Sequence, residues 1–192
     1  MSVIDNLEPK LLWKEFEEVS KIPRCSKHEE KIREYLLDFA KQYGLKSKID
    51  KTGNVVISKP ASSGMEGKPT VILQSHMDMV CEKNSDVDHD FTKDPIKFKL
   101  NGDILTADGT TLGADDGIGV ATTLAILEDN TLKHGHIEGL FTVDEETGLT
   151  GAFALESGML TGKIMLNIDS EDFGVVTVGC AGGPIPESAK LD

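Results

Sequence analysis

Up to Gly44 the apolar residues recur at helical spacing, and from Leu45 onward they alternate or run together as in strands. Leu11, Leu12, Phe16 and Val19, with Trp13 and Ile22 nearby, predict a first helix that Pro23 stops. Ser26 is placed to N-cap a second helix, and Glu29 to close a capping box with it. Ile32, Tyr35, Leu36 and Phe39 form that helix's apolar face, and Gly44 ends it. Leu45–Ile49 alternates, Thr52-Gly53-Asn54 turns, and Val55-Val56-Ile57 opens the next strand. Residues 60–69 have the composition of a surface loop. Thr70–Gln74 is apolar except at its ends, the mark of a strand buried on both faces.

The stretch that follows is irregular and acidic, with a short strand candidate at Ile96–Leu100. Val120, Leu124 and Leu127 predict a helix over Ile118–Asp129, and Leu140–Val143 a further strand. Gly151–Ser157 reads as a short helix, Ile164–Ile168 as an apolar strand, and Val175–Val178 as one more strand. Alternation of buried strands with helices predicts an α/β fold, a mixed central sheet with helices on both faces. In open sheets of that kind the active site gathers at the carboxyl ends of strands. Apolar strands here run into His76-Met77-Asp78, into Asp144-Glu145-Glu146 and into Asp169. Carboxylates at such places are costly without a partner, and a metal ion supplies one.

The chain has 192 residues, 39% of them hydrophobic, enough for one real core. Its net charge of -13 and lack of any long Lys/Arg cluster argue against binding nucleic acid. No apolar run approaches the roughly 20 residues that cross a bilayer, and the N-terminus has no signal-peptide pattern. Cys25, Cys81 and Cys180 form no C-x-x-C and no disulfide framework, so free thiols in a reduced cytoplasm are expected, Cys81 at least half-buried.

One imidazole with several carboxylates suits zinc, and a pair of cations needs a carboxylate to bridge them. Asp78, two residues beyond His76 on a strand end, shares its face and can orient the ring. Thr147-Gly148 can turn the chain so that Glu145 and Glu146 serve different roles, one as metal ligand and one as general base. Each segment alone has a plainer reading. H-x-D triplets and acidic pairs are common in acidic chains, and Asp116 before a helix can be a cap alone. His134-Gly135-His136 reads as a solvated loop. Asp86–Asp90 begins like a calcium loop, but Phe91 and Lys97 stand where glycine and glutamate are needed. Gly117-Ile118-Gly119 lacks the third glycine of a dinucleotide fingerprint.

Residues 74–80 (Gln-Ser-His-Met-Asp-Met-Val), 111–119 (Thr-Leu-Gly-Ala-Asp-Asp-Gly-Ile-Gly) and 144–152 (Asp-Glu-Glu-Thr-Gly-Leu-Thr-Gly-Ala) carry a resemblance beyond their chemistry. Together with Ile22-Pro23, residues 88–96 and Asn167-Ile168-Asp169-Ser170-Glu171, they resemble the aminoacylase/carboxypeptidase family of co-catalytic zinc peptidases. Within it the likeness is to the bacterial aminoacyl-histidine (Xaa-His) dipeptidases, over about residues 10 to 183. The resemblance implies two Zn2+ ions, with Co2+ or Mn2+ as possible substitutes. His76 and Asp169 would bind one, Glu146 the other, and Asp115 both, through a cis bond to Asp116. Asp78 would hold His76, and Glu145 would be the general base. The substrate implied is a small peptide with C-terminal histidine.

The same resemblance implies a lid and dimerisation domain, and a further zinc-binding histidine, beyond where this chain stops. Residues 184–192 depart from the family pattern, so the expected division is a partial catalytic domain over 1–183 and a divergent tail over 184–192. Two alternatives stay open: an inactive fragment that binds metal weakly, and a related tripeptidase or deacylase.

Overall fold

The computed structural model describes residues 3–170 and 174–179. In chain order it contains α1 (Lys10–Ser20), α2 (Glu30–Gln42), β1 (Lys46–Ile49), β2 (Val55–Lys59), β3 (Val71–His76), β4 (Phe98–Asn101), β5 (Ile104–Ala107), α3 (Ala114–Glu128), β6 (Ile137–Thr142), α4 (Thr150–Phe153) and β7 (Ile164–Asn167). Five strands form one mixed sheet in the order β1-β2-β6-β3-β7. β2 runs antiparallel to β1 and β6, while β6, β3 and β7 run parallel. That parallel trio places the carboxyl ends of its strands side by side.

The apolar periodicities account for the layers. Val19 of α1, Ile32, Leu36 and Phe39 of α2 and Val120, Leu124 and Leu127 of α3 form one buried cluster with Val55, Ile57, Leu73 and Phe141 of the sheet. The opposite face carries a smaller cluster, Val56, Ile72 and Leu140 against Met159, with Leu155 and Leu160, from the segment after α4. β6 is buried along its whole length, as a central strand must be. Lys59 at the end of β2 is buried and donates to the carbonyls of Ile126 and Asp129, fastening the C-terminal end of α3 to the sheet. A cation there also favours the helix dipole.

Some local expectations give way. The strand expected at Ile164–Ile168 forms, but at the sheet's edge, with Ile164, Met165 and Leu166 exposed. Among the described residues nothing pairs with its outer side. Val175–Val178 forms no strand, and no described segment pairs with it. The strand candidate at Ile96–Leu100 is half of a hairpin, and its partner β5 lacks the apolar alternation that would have shown it. The hairpin stacks Phe98 on Phe16 of α1, with ring centroids 5.4 Å apart. The region expected as a divergent tail, residues 184–192, lies outside the described residues. None of the described helices is long and apolar enough to cross a membrane.

Asn54, fully buried at the start of β2, ties the sheet to the chain beyond β6. Its Nδ2 donates to Asp50 Oδ2 and Gly151 O, both at 2.8 Å, and its Oδ1 accepts from Val143 N at 3.1 Å. Asn54→Ala would strip partners from buried backbone groups, at roughly 1–3 kcal/mol for each group orphaned. A fall in the urea midpoint without change in slope is the expected outcome. An unchanged midpoint would show that water replaces the amide at no cost.

Candidate metal centre

β3 ends at His76, β6 runs into Asp144-Glu145-Glu146, and β7 leads through Ile168 to Asp169. Ile168 N donates to Gln74 O at 2.9 Å, continuing the β3–β7 ladder past the last strand residue and carrying Asp169 toward His76. Asp115 and Asp116 come from the other direction, at the start of α3, with non-helical torsions and a cis bond between them. Asp144 takes a positive φ of 49° and Gly148 N donates to Glu145 O. This is the turn that the Thr147-Gly148 pair predicts.

Asp78 organises the interior of the site. It is fully buried and its carboxylate accepts from Ser26 Oγ (2.7 Å), Glu145 N (3.0 Å) and Glu146 N (3.3 Å). It also faces His76 Nδ1 at 3.2 Å. An ionised carboxylate can only accept, so Nδ1 carries a hydrogen and Nε2 is directed to the opposite side. Burial works against the Asp78 charge. The bonds from His76, Glu145 N and Ser26 outweigh it and hold the pKa down at about 2.

Around His76 Nε2 stand oxygens of Asp115 at 2.9 Å, Glu145 at 3.9 Å and Asp169 at 4.0 Å. Potential donor atoms fall into two groups that share His76, one with Asp115 and Glu146 and the other with Glu145 and Asp169. Such carboxylates repel one another. Burial, with repulsion from Asp169 and Glu146, raises Glu145, and burial with repulsion from Asp115 raises Glu146. A divalent cation relieves that repulsion, and imidazole with carboxylate oxygens is a donor set for Zn2+, also open to Co2+ or Mn2+. The overlapping groups fit a binuclear centre.

Asp116 lies behind this ring. Its Oδ1 accepts from Gly119 N at 3.1 Å, so it caps the helix, and its Oδ2 accepts from His76 N at 3.3 Å. Burial and the nearby Asp169 push it up to about 7. The expected capping box is absent. Ser26 turns its hydroxyl to Asp78 instead, and Glu29 accepts from Lys27 N and, across the fold, from Asp144 N at 3.1 Å. Both residues thus brace the site, and only their proximity to a helix start could have flagged them. His134 and His136 lie away from the ring, half-buried rather than solvated. The backbone of His134 is bonded to Ser62.

The reading of the cysteines is also corrected. Cys25 and Cys81 are joined as a disulfide, with Cα atoms 5.6 Å apart. Residues 24–26 run beside Met79, with Met79 N donating to Arg24 O and Ser26 N to Met79 O, and this alignment of distant segments brings the sulfurs together. Cys180 lies outside the described residues.

The sequence profile described as peptidase family M20/M25/M40 matches residues 72–187, the stretch that holds every residue of the ring. The chain belongs to that family. It is 48% identical over 183 residues to the "Cytosol non-specific dipeptidase" of Escherichia coli K12, covering 95% of this chain and 38% of that protein. The crystal structure of aminoacylhistidine dipeptidase from Vibrio alginolyticus superposes with a TM-score of 0.87 at 53% identity, covering 90% of this chain and 35% of that one. A tripeptidase from Staphylococcus aureus superposes at 0.71 with 28% identity, covering 85% and 44%. The chain thus spans less than half the length of each of these relatives.

Without metal, the ring sets a pH dependence. Burial opposes the charge on His76, but hydrogen bonds to Asp78 and Asp115 raise it to about 9. Its stabilising share is full below the unfolded value of about 6.5 and is lost as pH rises through 9. Raised carboxylates such as Asp116 act in the same direction, because their charge is less favourable folded than unfolded. The EDTA-treated protein is expected to lose stability steadily from pH 5 to 9 in urea titrations, and added Zn2+ to oppose the loss because it binds the deprotonated ligands. A flat profile without metal would contradict this electrostatic account.

Proposed function

We propose that this chain is the catalytic part of a two-zinc peptidase acting on dipeptides of the Xaa-His type. The observation that carries the reading is the convergence of Asp115, Glu145 and Asp169 on His76 Nε2, with Asp78 bonded to the other ring nitrogen. In this proposal His76 and Asp169 hold one cation, Glu146 the other, and Asp115 bridges them. We assign residues 1–183 to a partial catalytic domain and 184–192 to a tail whose sequence diverges from the family. The names of the Vibrio alginolyticus and Escherichia coli relatives support a dipeptide substrate, and the latter's name supports a cytosolic setting. The name of the Staphylococcus aureus structure keeps tripeptides as a second candidate.

When bound, the two cations would polarise the scissile carbonyl and acidify a water molecule. Glu145 is the residue left to move the proton. Burial and its acidic neighbours raise its pKa, which makes the carboxylate a better acceptor near neutral pH. It takes the proton of the attacking water and returns it to the leaving amine. Asp78 keeps the imidazole oriented and, through its bonds to Glu145 N and Glu146 N, fixes where both glutamates start.

The test pairs elemental analysis with turnover of β-alanyl-histidine, a tripeptide and an N-acyl amino acid. The expected result is zinc-dependent cleavage of the dipeptide. Glu145→Gln should lower kcat by about 10²–10⁴-fold while metal content stays unchanged. Zinc-loaded protein inert toward all three substrates would sink the reading, as would full turnover by the variant. Among the described residues the second cation has Glu146 and the shared Asp115, so stepwise titration should resolve one tighter and one weaker equivalent. Two equal affinities would contradict this ligand assignment.

A further inference from the structure

Arg24 is among the largest fully buried side chains, only 1% exposed. Its Nη1 donates to Asp78 O at 2.8 Å and to Met77 O at 3.3 Å, and its Nη2 donates to Gly113 O. The first two carbonyls belong to the chain just past His76, and the third lies just before Ala114-Asp115. One planar fork therefore spans the histidine arm and the aspartate arm of the ring. Asp78, Asp116, Asp115 and Glu146 act on its charge through space.

The space around the guanidinium is shaped for it, although its position carries an electrostatic cost. A Cβ at Gly113 or at Gly117 would lie 2.6 Å from Nη2, so the glycines on either side of Asp115-Asp116 leave the room it occupies. A cation at the start of α3 also opposes the helix dipole, which favours anions at that end. Its burial is costly unless negative charge compensates it. The carboxylates of the ring provide that charge, and Arg24 in turn offsets their repulsion.

We propose that Arg24 is the positioning residue of the metal centre, holding the His76–Asp78 arm and the Asp115–Asp116 arm at a set separation through three backbone carbonyls. The inference rests on the two-metal reading of the site. It goes beyond that reading by giving cation affinity and donor geometry to a side chain that is not a ligand. An ammonium keeps the charge but lacks the planar fork that sends Nη1 to one arm and Nη2 to the other, so Arg24→Lys separates bridging geometry from charge.

The experiment follows Zn2+ affinity and the visible spectrum of the Co2+-substituted protein, with circular dichroism and thermal unfolding alongside. Arg24→Lys is expected to stay folded, bind Zn2+ at least about 10-fold more weakly and shift the Co2+ bands. Gly117→Ala keeps Arg24 but places a methyl group against Nη2. It is expected to weaken Zn2+ binding and shift the Co2+ bands, although alanine is the better helix former. If Arg24→Lys does not fold, Gly117→Ala decides alone. Wild-type affinity and spectrum in the folded variants would overturn the proposal and leave Arg24 as part of the core, whatever their melting temperatures. Failure of the wild-type chain to take up either cation would instead refute the metal reading.

Discussion

An ionised carboxylate taken out of water must find donors or pick up a proton, and the site depends on how Asp78 meets that demand. Its donors come from separate parts of the chain: Ser26 before α2, His76 at the end of β3, and the amides of Glu145 and Glu146 beyond β6. Satisfying one buried charge thereby fixes the relative positions of a histidine and two glutamates that are far apart in sequence. The low pKa of Asp78 follows from those bonds, and so does the direction in which the imidazole points. Asp116 repeats the device on the other side, capping α3 while it holds the backbone of His76.

Around these braces the chain concentrates negative charge that it does not neutralise by itself. Glu145, Glu146 and Asp116 are all pushed toward the protonated form, mainly by burial. The helices, the sheet core and the joint at Asn54 hold the carboxylates together against that tendency. A protein selected for stability alone would have little use for such a cluster, and its presence is the physical content of the family assignment. The carboxylates that matter come from segments that converge at one end of the sheet.

Much of this was legible in the residues because periodicity and strand-end chemistry are local signals. The α1, α2 and α3 faces, the buried β3 and β6, and the placement of His76, Asp78, Glu145 and Glu146 after strands all follow from such patterns. Asp169 needed a family resemblance to stand out from the acidic residues around it. Arg24 and Ser26 were illegible in their roles, since what matters is the run of residues 24–26 beside Met79, a pairing between distant segments. The same pairing hid the contact of Cys25 with Cys81. Ser26 had two acceptable partners, the α2 amides and the Asp78 carboxylate, and the charged acceptor makes the stronger bond. The hairpin partner β5 was missed for the opposite reason, a local run of four residues too short and too irregular in its alternation to register as a strand.

The parallel arrangement of β6, β3 and β7 also governs the thermodynamics of ion capture. His76, Asp115, Glu146 and Asp169 would close large rings around an ion, and in a flexible chain the entropy of closing them would fall on the binding event. Here sheet pairing and helix packing have already closed those rings, with His76 beside Thr142 and Gln74 beside Asn167 in register. The ion meets a chelator whose shape is set by hydrophobic contacts well away from it. Its binding strength is therefore partly a property of the core, and a cavity opened beneath β3 would be felt as slackness in the ring.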